Sequence, residues 1–331
     1  MAYTTIDDPS AYFQNLIWSG NATDDRALTF DGNSDLQPNL SWFKCRSNAA
    51  NHQLIDSVRG VNKIVNSNDD VVEVTDATLF KSFDSDGITI GTGGVVNDNG
   101  RTYAGWNWKE KAEVFDIVSY TGNGSANRTI SHSLGVKPGF MIIKERTNDQ
   151  PFVVYHHHLG ATKYIYLNGA GAHGTYEPFF ANTEPTSSVF TVDTDSAVNR
   201  NGAPYIAYLF GNSSMSKIGS YVGNGNVNGP YIHLGFKPAW ILNRKSSAQS
   251  WIIQDNKRNP FNPVSGDMKA LKADTTGTEE DEASHRIDYL SNGFKMRYTW
   301  EGNNANGVTY YYMAFAHNPF VTSSGVPGTA R

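Results

Sequence analysis

Short apolar runs and polar, turn-rich stretches alternate along the whole chain. Three of the runs, "LSWF" (40–43), "GFMII" (139–143) and "AWIL" (239–242), have the length and composition of strands buried on both faces. A second apolar run follows each of them: "HQLID", "FVVY" and "WIIQ". No amphipathic helical stripe is longer than about two turns. The pattern therefore predicts an all-β protein.

The same sequence pattern recurs about every 100 residues. A proline precedes each of the three first runs: Pro38, Pro138 and Pro238. Six positions after each proline stands a basic residue: Lys44, Lys144 and Arg244. Before the prolines, Gly-Asn pairs at 20–21, 122–123 and 223–224 follow the same spacing. The chain thus contains three copies of one module.

Each copy also ends in a similar way. An Asn-Gly pair at 99–100, 201–202 or 306–307 leads into "TYAGWNW", "PYIAYLF" or "YYMAFAH". We expect the pair to form a hairpin turn in which both residues have positive φ. With two extra residues allowed in the third copy, Tyr103, Tyr205 and Tyr312 align, and each is followed by a small residue two positions later.

A period of this length matches one β-sandwich domain with its own core and is too long for a propeller blade. We therefore expect three tandem sandwiches, at 17–118, 119–219 and 220–320. A 1–16 arm and a 321–331 tail lie outside the repeat. No linker separates the copies, so the sandwiches should pack as a compact or pseudo-threefold unit.

Composition and charge exclude several classes of protein. The net charge is −5 with both signs interspersed, which gives no basic surface for nucleic acid. The single cysteine, Cys45, excludes an intrachain disulfide and a cysteine-based zinc site. No apolar stretch is long enough to span a membrane, and no signal peptide is evident at the start. We expect synthesis in a reducing cytoplasm.

The stretch "DLQPNLSWFKCRSNAANHQLIDSVRG", followed by "FKSFDSDGITIG" and "TYAGWNWK", resembles the virion and tail proteins of marine, cyanophage-type tailed phages. The "LG-x-K-P" signature of that family occurs at 134–138 and 234–238, whereas the first copy has "DLQP". The resemblance covers nearly the whole chain. It implies lectin-like sandwiches of jelly-roll or concanavalin type, and it carries over no catalytic residues.

The resemblance also sets expectations for function and location. It implies a structural and binding component of a virion, made in the host bacterium. The leading interpretation is a tail or tail-fibre protein that contacts host-surface glycans. A capsid decoration protein and a free bacterial carbohydrate-binding module are the alternatives. The expected partners are other virion proteins, copies of the chain itself and host-surface polysaccharide.

Several residues are candidates for ligand contact. His132 and His233 precede the "LG-x-K-P" loop, where each either fixes a turn or binds sugar. Lys44, Lys144 and Arg244 either lie along a sheet edge with the charge in water or contact an acidic glycan or the acidic surface of a neighbouring subunit. Trp106 and Trp108 alternate with small or polar residues and point to one face, so they belong to the core or stack on a sugar.

Metal sites are a second possibility. His156 and His158 flank His157 in "VYHHHLG" and share a face of an extended chain, where two imidazoles suit a transition metal. The acidic loop 274–286, "DSDG" (84–87) and "DTDS" (193–196) are either solvated turns or calcium loops. A polar strand end and charged turns are the alternative interpretations.

The remaining expectations concern catalysis and the N-terminal arm. The chain has no nucleophile-elbow motif, phosphate loop or cysteine–histidine pair, so we predict no enzyme activity and no cofactor. The 1–16 arm holds three aromatic anchors: Tyr3, Tyr12 and Phe13. Because ordering an extended arm costs about 1–2 kcal/mol per residue, we expect these anchors to pack against a second chain.

Overall fold

A computed structural model describes residues 4–328 of the chain. The protein is all-β, as predicted, and its sheets are antiparallel. The helices in the described range are four α-helices of one turn each and two 3₁₀ turns, Pro9–Ala11 and Ala283–His285. The strands fall into three successive units.

The first unit consists of the following elements: β1 (Phe13–Ser19), β2 (Arg26–Thr29), β3 (Leu40–Cys45), β4 (Gln53–Asp56), β5 (Lys63–Ile64), β6 (Val74–Thr75), β7 (Phe80–Asp84), β8 (Gly87–Ile90), α1 (Gly94–Asn97) and β9 (Thr102–Trp108). Its large sheet has the order β1-β9-β3-β4, its small sheet has the order β2-β8-β7, and β5 pairs with β6.

The second unit repeats this plan with these elements: β10 (Phe115–Thr121), β11 (Arg128–Ser131), β12 (Phe140–Glu145), β13 (Val153–His156), β14 (Lys163–Tyr166), β15 (Gly174–Thr175), α2 (Glu177–Phe180), β16 (Val189–Val192), α3 (Ser196–Asn199) and β17 (Pro204–Phe210). The large sheet has the order β10-β17-β12-β13-β14-β15, and the small sheet is β11-β16.

The third unit has these elements: β18 (Ser216–Val222), β19 (Tyr231–His233), β20 (Phe236–Lys245), β21 (Ile252–Asp255), β22 (Met268–Lys272), β23 (Glu280–Glu282), β24 (Ile287–Leu290), β25 (Gly293–Met296), α4 (Glu301–Asn304) and β26 (Thr309–Pro319). Its sheets have the orders β18-β26-β20-β21-β22-β23 and β19-β25-β24. The large sheets of all three units therefore follow one strand scheme.

Each large sheet is buried on both faces. In β3 and β12 all six residues are buried, as the apolar runs predicted. One face packs against the small sheet of the same unit; in the first unit that core includes Trp18, Phe43 and Phe80. The other face packs against the other two units. Full burial of each large apolar side chain contributes about 1.5–3 kcal/mol.

Three aromatic rings from equivalent positions meet where the units converge. Trp108, Phe210 and Phe315 occupy the same register in β9, β17 and β26, opposite Leu40, Phe140 and Trp240 respectively. Their ring centroids are 6.2, 5.8 and 5.9 Å apart, so each ring contacts the other two. The units thus surround a common centre with pseudo-threefold symmetry.

The closing tyrosine of the third unit differs from the predicted one. Tyr103, Tyr205 and Tyr310 each donate to a helix carbonyl and accept from a backbone N–H four residues further on. Tyr310 is therefore the equivalent residue, and the predicted Tyr312 and its two-residue insertion are wrong. Tyr312 instead fills a position that is Gly105 in the first unit.

The space for Tyr312 comes from its neighbour on the paired strand. Gly219 lies opposite Tyr312, whereas the first unit has Leu16 opposite Gly105. A Cβ at Gly219 would lie 2.6 Å from the Tyr312 hydroxyl oxygen. The large and the small residue have therefore changed places across the strand pair, and the core volume is kept.

The Asn-Gly pairs form a different turn from the expected one. Each connects a short helix to the closing strand, and only the glycine has positive φ: 78° at Gly100 and Gly202 and 71° at Gly307. A backbone hydrogen bond from Arg101 to Asp98 closes the first of these turns. Positive φ at the third turn residue alone is the type II pattern, which needs glycine there.

The N-terminal segment belongs to this chain's own core. Phe13 lies in β1, opposite Trp108, and its ring stacks on Phe315 at 5.0 Å. Tyr12 packs against the same core, and Asp7 binds Ser323 near the other end of the chain. The predicted contact with a second chain is therefore wrong for the buried Phe13, it stays a prediction for the partly buried Tyr12, and Tyr3 lies outside the described residues.

The predicted domain boundaries also need correction. The cuts after residues 16, 118 and 219 fall inside β1, β10 and β18, each of which belongs entirely to the unit that it opens. The recurring Gly-Asn pairs marked the copies, but the strands begin before those pairs.

Candidate functional site

The recurring basic residues lie in the contacts between units, which we call seams 1–2, 2–3 and 3–1. The Lys144 ammonium donates to the carbonyl of Asp70 at 2.7 Å, across seam 1–2. Lys44 donates to the carbonyl of Thr276 at 3.2 Å, across seam 3–1, and Arg244 donates to that of Gly171 across seam 2–3.

All three basic side chains are fully buried. Burial lowers the pKa of Lys44 and of Lys144 to about 8 and that of Arg244 to about 10. The predicted contact of Lys144 and Arg244 with an external ligand is therefore wrong, as is the expectation that the charges reach water. Each of these side chains instead donates a hydrogen bond to a backbone carbonyl in a loop of the neighbouring unit.

Seam 1–2 contains a buried network of charged groups. Arg59 binds Asp56 at 2.5 Å and Glu73 at 3.2 Å, and both partners belong to its own unit. Arg146 of the second unit donates two hydrogen bonds to the Glu73 carboxylate, of 2.8 and 2.9 Å. Tyr208, also of the second unit, donates to Asp56 at 2.7 Å. Charge-assisted bonds of this bidentate kind are the strong ones.

Seam 3–1 repeats the network with residues from equivalent positions. Arg258 binds Asp255 at 2.5 Å and Glu279 at 3.2 Å. Arg46 of the first unit donates two hydrogen bonds to the Glu279 carboxylate, and the Trp106 indole donates to Asp255 at 3.0 Å. The sequence signal for these networks is Asp-x-x-Arg at 56–59 and 255–258, which the sequence analysis did not interpret.

Seam 2–3 lacks this network. His156, opposite Phe140, occupies the position that Asp56 has opposite Leu40 and Asp255 has opposite Trp240, and Leu159 stands where the other units have arginine. The His156 ring lies 5.1 Å from that of Tyr311 in the third unit. A neutral ring and an aliphatic side chain thus replace a buried ion pair.

The next two histidines extend this contact. Nε2 of His157 donates to the carbonyl of Ile218 at 3.1 Å, and Nδ1 of His158 lies 2.6 Å from the Ser220 hydroxyl. Burial and, to a smaller extent, the neighbouring histidines lower the pKa of His156 well below its usual range and that of His157 to about 4. The rings are therefore neutral at pH 7.

The metal site predicted at His156 and His158 is wrong. β13 ends at His156, so the next residues turn and the two rings do not share a strand face. Nδ1 of His156 accepts the backbone N–H of His158 at 3.1 Å. Among residues 4–328, no group of three or more histidine, cysteine or acidic residues is placed to hold a metal ion.

Three carboxylates of the acidic loop form ion pairs: Glu279, Glu280 and Asp281. Glu279 belongs to the seam 3–1 network, and Glu280 binds Lys272 at 2.5 Å and His285 at 2.9 Å. These bonds lower the pKa of Glu280 to about 2. The calcium alternative for this loop is therefore not supported by its geometry.

The remaining sequence candidates do not form a shared site. Trp106 and Trp108 do share a face, but both are buried in the central core. The alternative that they stack on a sugar is therefore wrong. His132 stacks beside Phe190, whereas His233 is exposed and contacts the Tyr231 hydroxyl at 3.1 Å. His233 ends its strand and His132 follows its strand, so the two histidines are not equivalent.

A cleft of about 230 Å³ opens at seam 3–1, between the first and third units. Neutral amides dominate its lining: Gln14, Asn15, Asn33, Asn256 and Asn318. Lys257 pairs with Asp31 across the rim, where both side chains are partly exposed. Sequence reasoning missed the cleft, because its two walls lie more than 200 residues apart in the chain.

Two amides of the cleft are held in fixed positions. Gln14 donates to the carbonyls of Ser10 and Ser34 at 3.0 and 2.9 Å and accepts the N–H of Gly32 at 2.8 Å. A Cβ at Gly32 would lie 2.6 Å from the Gln14 amide, so a side chain there would displace that amide from its hydrogen bonds. Asn15 donates to the carbonyl of Ala239 at 3.0 Å and to Asn256 at 3.1 Å.

Within the described range, no helix is long and apolar enough to cross a membrane. A family model described as a domain of unknown function, DUF7483, matches residues 8–319. No curated protein and no solved structure matches the chain.

Proposed function

The chain belongs to the DUF7483 family, and we propose that it is a non-catalytic structural and binding component of a tailed-phage particle. We place it in the tail or tail-fibre region, where its loops contact host-surface glycans. The resemblance of its repeated motifs to phage virion proteins supports this role. The proposed partners are other virion proteins, copies of the chain and host-surface polysaccharide.

The construction of the seams carries the proposal. In each seam a buried basic side chain ties neighbouring units together, and two seams add a network of carboxylates and arginines. Across those two seams an arginine and a tyrosine or tryptophan of one unit bind the carboxylates of the next, so separating the units would leave buried polar groups without partners. A rigid block that holds its loops in fixed relative positions suits a particle component that contacts a surface.

One observation favours a second candidate, a capsid decoration protein. The longest helix among residues 4–328 has four residues, and the described range contains no coiled coil or extended shaft. A tail fibre normally needs such a shaft to span distance. A compact block of three units would serve as a decoration protein without one.

Immunogold electron microscopy of purified particles tests the proposal. Gold on the tail or its fibres is the expected result. Gold on the capsid surface would favour the decoration protein. An antigen found only in the particle-free fraction would overturn the proposal and leave a free carbohydrate-binding module. Particles from a phage without the gene serve as the control for antibody specificity.

A further inference from the structure

We propose that the cleft at seam 3–1 binds one neutral pyranose unit of a polysaccharide. This inference builds on the proposed glycan contact and assigns it to a single place in the fold. It does not involve the histidines or tryptophans considered as sugar ligands.

The strongest observation is the identity of Asn15. Its equivalents in β10 and β18 are Ile117 and Ile218, which are buried and apolar. Asn15 is only 5% exposed, and its Oδ1 has no hydrogen-bond partner among the described residues. A buried acceptor without a partner disfavours the fold, whereas an isoleucine there would not. The amide at this position therefore suits a ligand hydroxyl.

The charges around the cleft favour a neutral ligand. Lys257 at the rim is already paired with Asp31, so an incoming anion would meet a carboxylate together with the ammonium. The other polar side chains of the lining are His317, Ser10 and uncharged amides, of which the exposed Asn33 and the partly exposed Asn318 can donate to and accept from hydroxyl groups. This arrangement suits a polyhydroxylated neutral molecule better than a uronic acid or a phosphate.

Shape limits the ligand further. The volume of about 230 Å³ lies below the range of roughly 300–1,000 Å³ typical of sites for drug-sized ligands, so one sugar ring is the appropriate size. The buried Phe13 ring forms an apolar part of the wall. A pyranose presents hydroxyls at its edge and C–H groups on its faces, which matches an amide lining beside an aromatic ring.

The test uses the purified full chain and saturation-transfer NMR at millimolar sugar. Glucose, galactose, mannose and N-acetylglucosamine are the neutral probes, and glucuronic acid is the anionic one. We expect at least one neutral sugar to bind more tightly than glucuronic acid. Asn15→Ile should weaken that binding at least tenfold, because it fills the cleft with the side chain found in the other units.

Two further variants keep the test decisive. Asn318→Ala removes a partly exposed amide of the cleft and should weaken binding severalfold even if Asn15→Ile folds poorly. Asn226→Ala is the matched control, since that exposed asparagine lies near α4, at the other end of β26, and should leave binding unchanged. Melting curves verify the fold of each variant.

Three results would overturn the inference: no neutral sugar binds, glucuronic acid binds more tightly, or Asn15→Ile binds as well as the unmodified chain. In the last case the glycan contact would survive but lie elsewhere on the surface. Particle labelling tests the virion role independently, so failure of the cleft and failure of the proposed function can be told apart.

Discussion

Seam 1–2 and seam 2–3 occupy equivalent places in the fold but have different chemistry. In seam 1–2 a buried aspartate–arginine pair is bound from the neighbouring unit by Tyr208, and Arg146 binds the adjoining Glu73. In seam 2–3 the same positions hold His156 and Leu159, and the ring of Tyr311 lies against the histidine. The strand pairs that carry these residues have the same register: Asp56 in β4 lies opposite Leu40 in β3, and His156 in β13 lies opposite Phe140 in β12.

The difference separates what the fold requires from what each seam adds. Asp56 and His156 are both fully buried. What the fold requires at this position is therefore a side chain that packs against the neighbouring unit, charged or uncharged. Replacing a buried ion pair by well-packed uncharged groups is often neutral for stability. The charges of seam 1–2 therefore make it sensitive to the loss of either partner, whereas seam 2–3 is sensitive to protonation.

The largest expected effect comes from breaking the pair in seam 1–2. Arg59→Met leaves Asp56 buried without its cation and should lower the free energy of unfolding by about 3–5 kcal/mol. The matched control is Leu159→Met at the equivalent position of seam 2–3, which should cost less than about 1.5 kcal/mol. Urea denaturation followed by fluorescence measures both. Equal losses would contradict the comparison.

The second test transfers the ion pair to seam 2–3. His156→Asp alone buries an unpaired carboxylate, and Leu159→Arg alone buries an unpaired cation, so each should destabilise the protein. Together they recreate the pair of the other seams, and the double-mutant cycle should give a favourable coupling of roughly 1–3 kcal/mol. A coupling near zero would mean that the second unit cannot adopt the paired geometry.

Acid should weaken seam 2–3 before it weakens seam 1–2. The folded-state pKa of His157 is lowered to about 4, and burial lowers that of His156 well below its usual range. Between a pKa of about 6.5 and these lowered values the unfolded chain binds more protons, so stability is lost as the pH falls through this window. The melting temperature should therefore drop between pH 6.5 and 4.

The groups that face these histidines do not reverse the sign. Carbonyls of Gly219 and Tyr312 and the carboxylate of Glu184 favour protonation, but burial outweighs them, and Lys137 and Lys217 add opposing charge. In seam 1–2 the pKa of Glu73 is lowered from its usual 4.5, so that seam loses stability only at lower pH. A His156→Gln, His157→Gln variant whose melting temperature still fell in this window would refute the assignment.

The smallest effect is expected at the rim of seam 3–1. Lys257→Gln removes the exposed pair with Asp31, and pairs of this kind contribute about 0–1 kcal/mol. The loss should shrink further in 1 M salt, because exposed charges are screened. A salt-independent loss above 2 kcal/mol would show that this exposed pair behaves like the buried ones.

The parts of the fold that follow from local pattern could be predicted from the sequence. Double-sided burial of β3 and β12 is evident from their uninterrupted apolar runs. The third closing strand was misaligned, because the prediction required a small residue where the structure has Tyr312. Only the paired strand shows that Gly219 makes room for it.

The chemistry of the seams could not be predicted in the same way. Asp56 and Arg59 are three residues apart and gave a local signal, but Tyr208 lies 152 residues from Asp56 along the chain. Whether a lysine lies on a surface or in a seam depends on packing between units. Lys144 was therefore expected to reach water and is instead fully buried.

The contact between Lys44 and Thr276 closes the three units into a ring across a sequence separation of 232 residues. Seam 1–2 joins the first two units, so it can form while synthesis is still in progress. Seams 2–3 and 3–1 both need the third unit, and seam 3–1 also joins residues so far apart in the chain that a long loop has to close first, which slows its formation. We therefore expect ring closure to be the last step of folding, with the amide-lined cleft absent from every intermediate that precedes it.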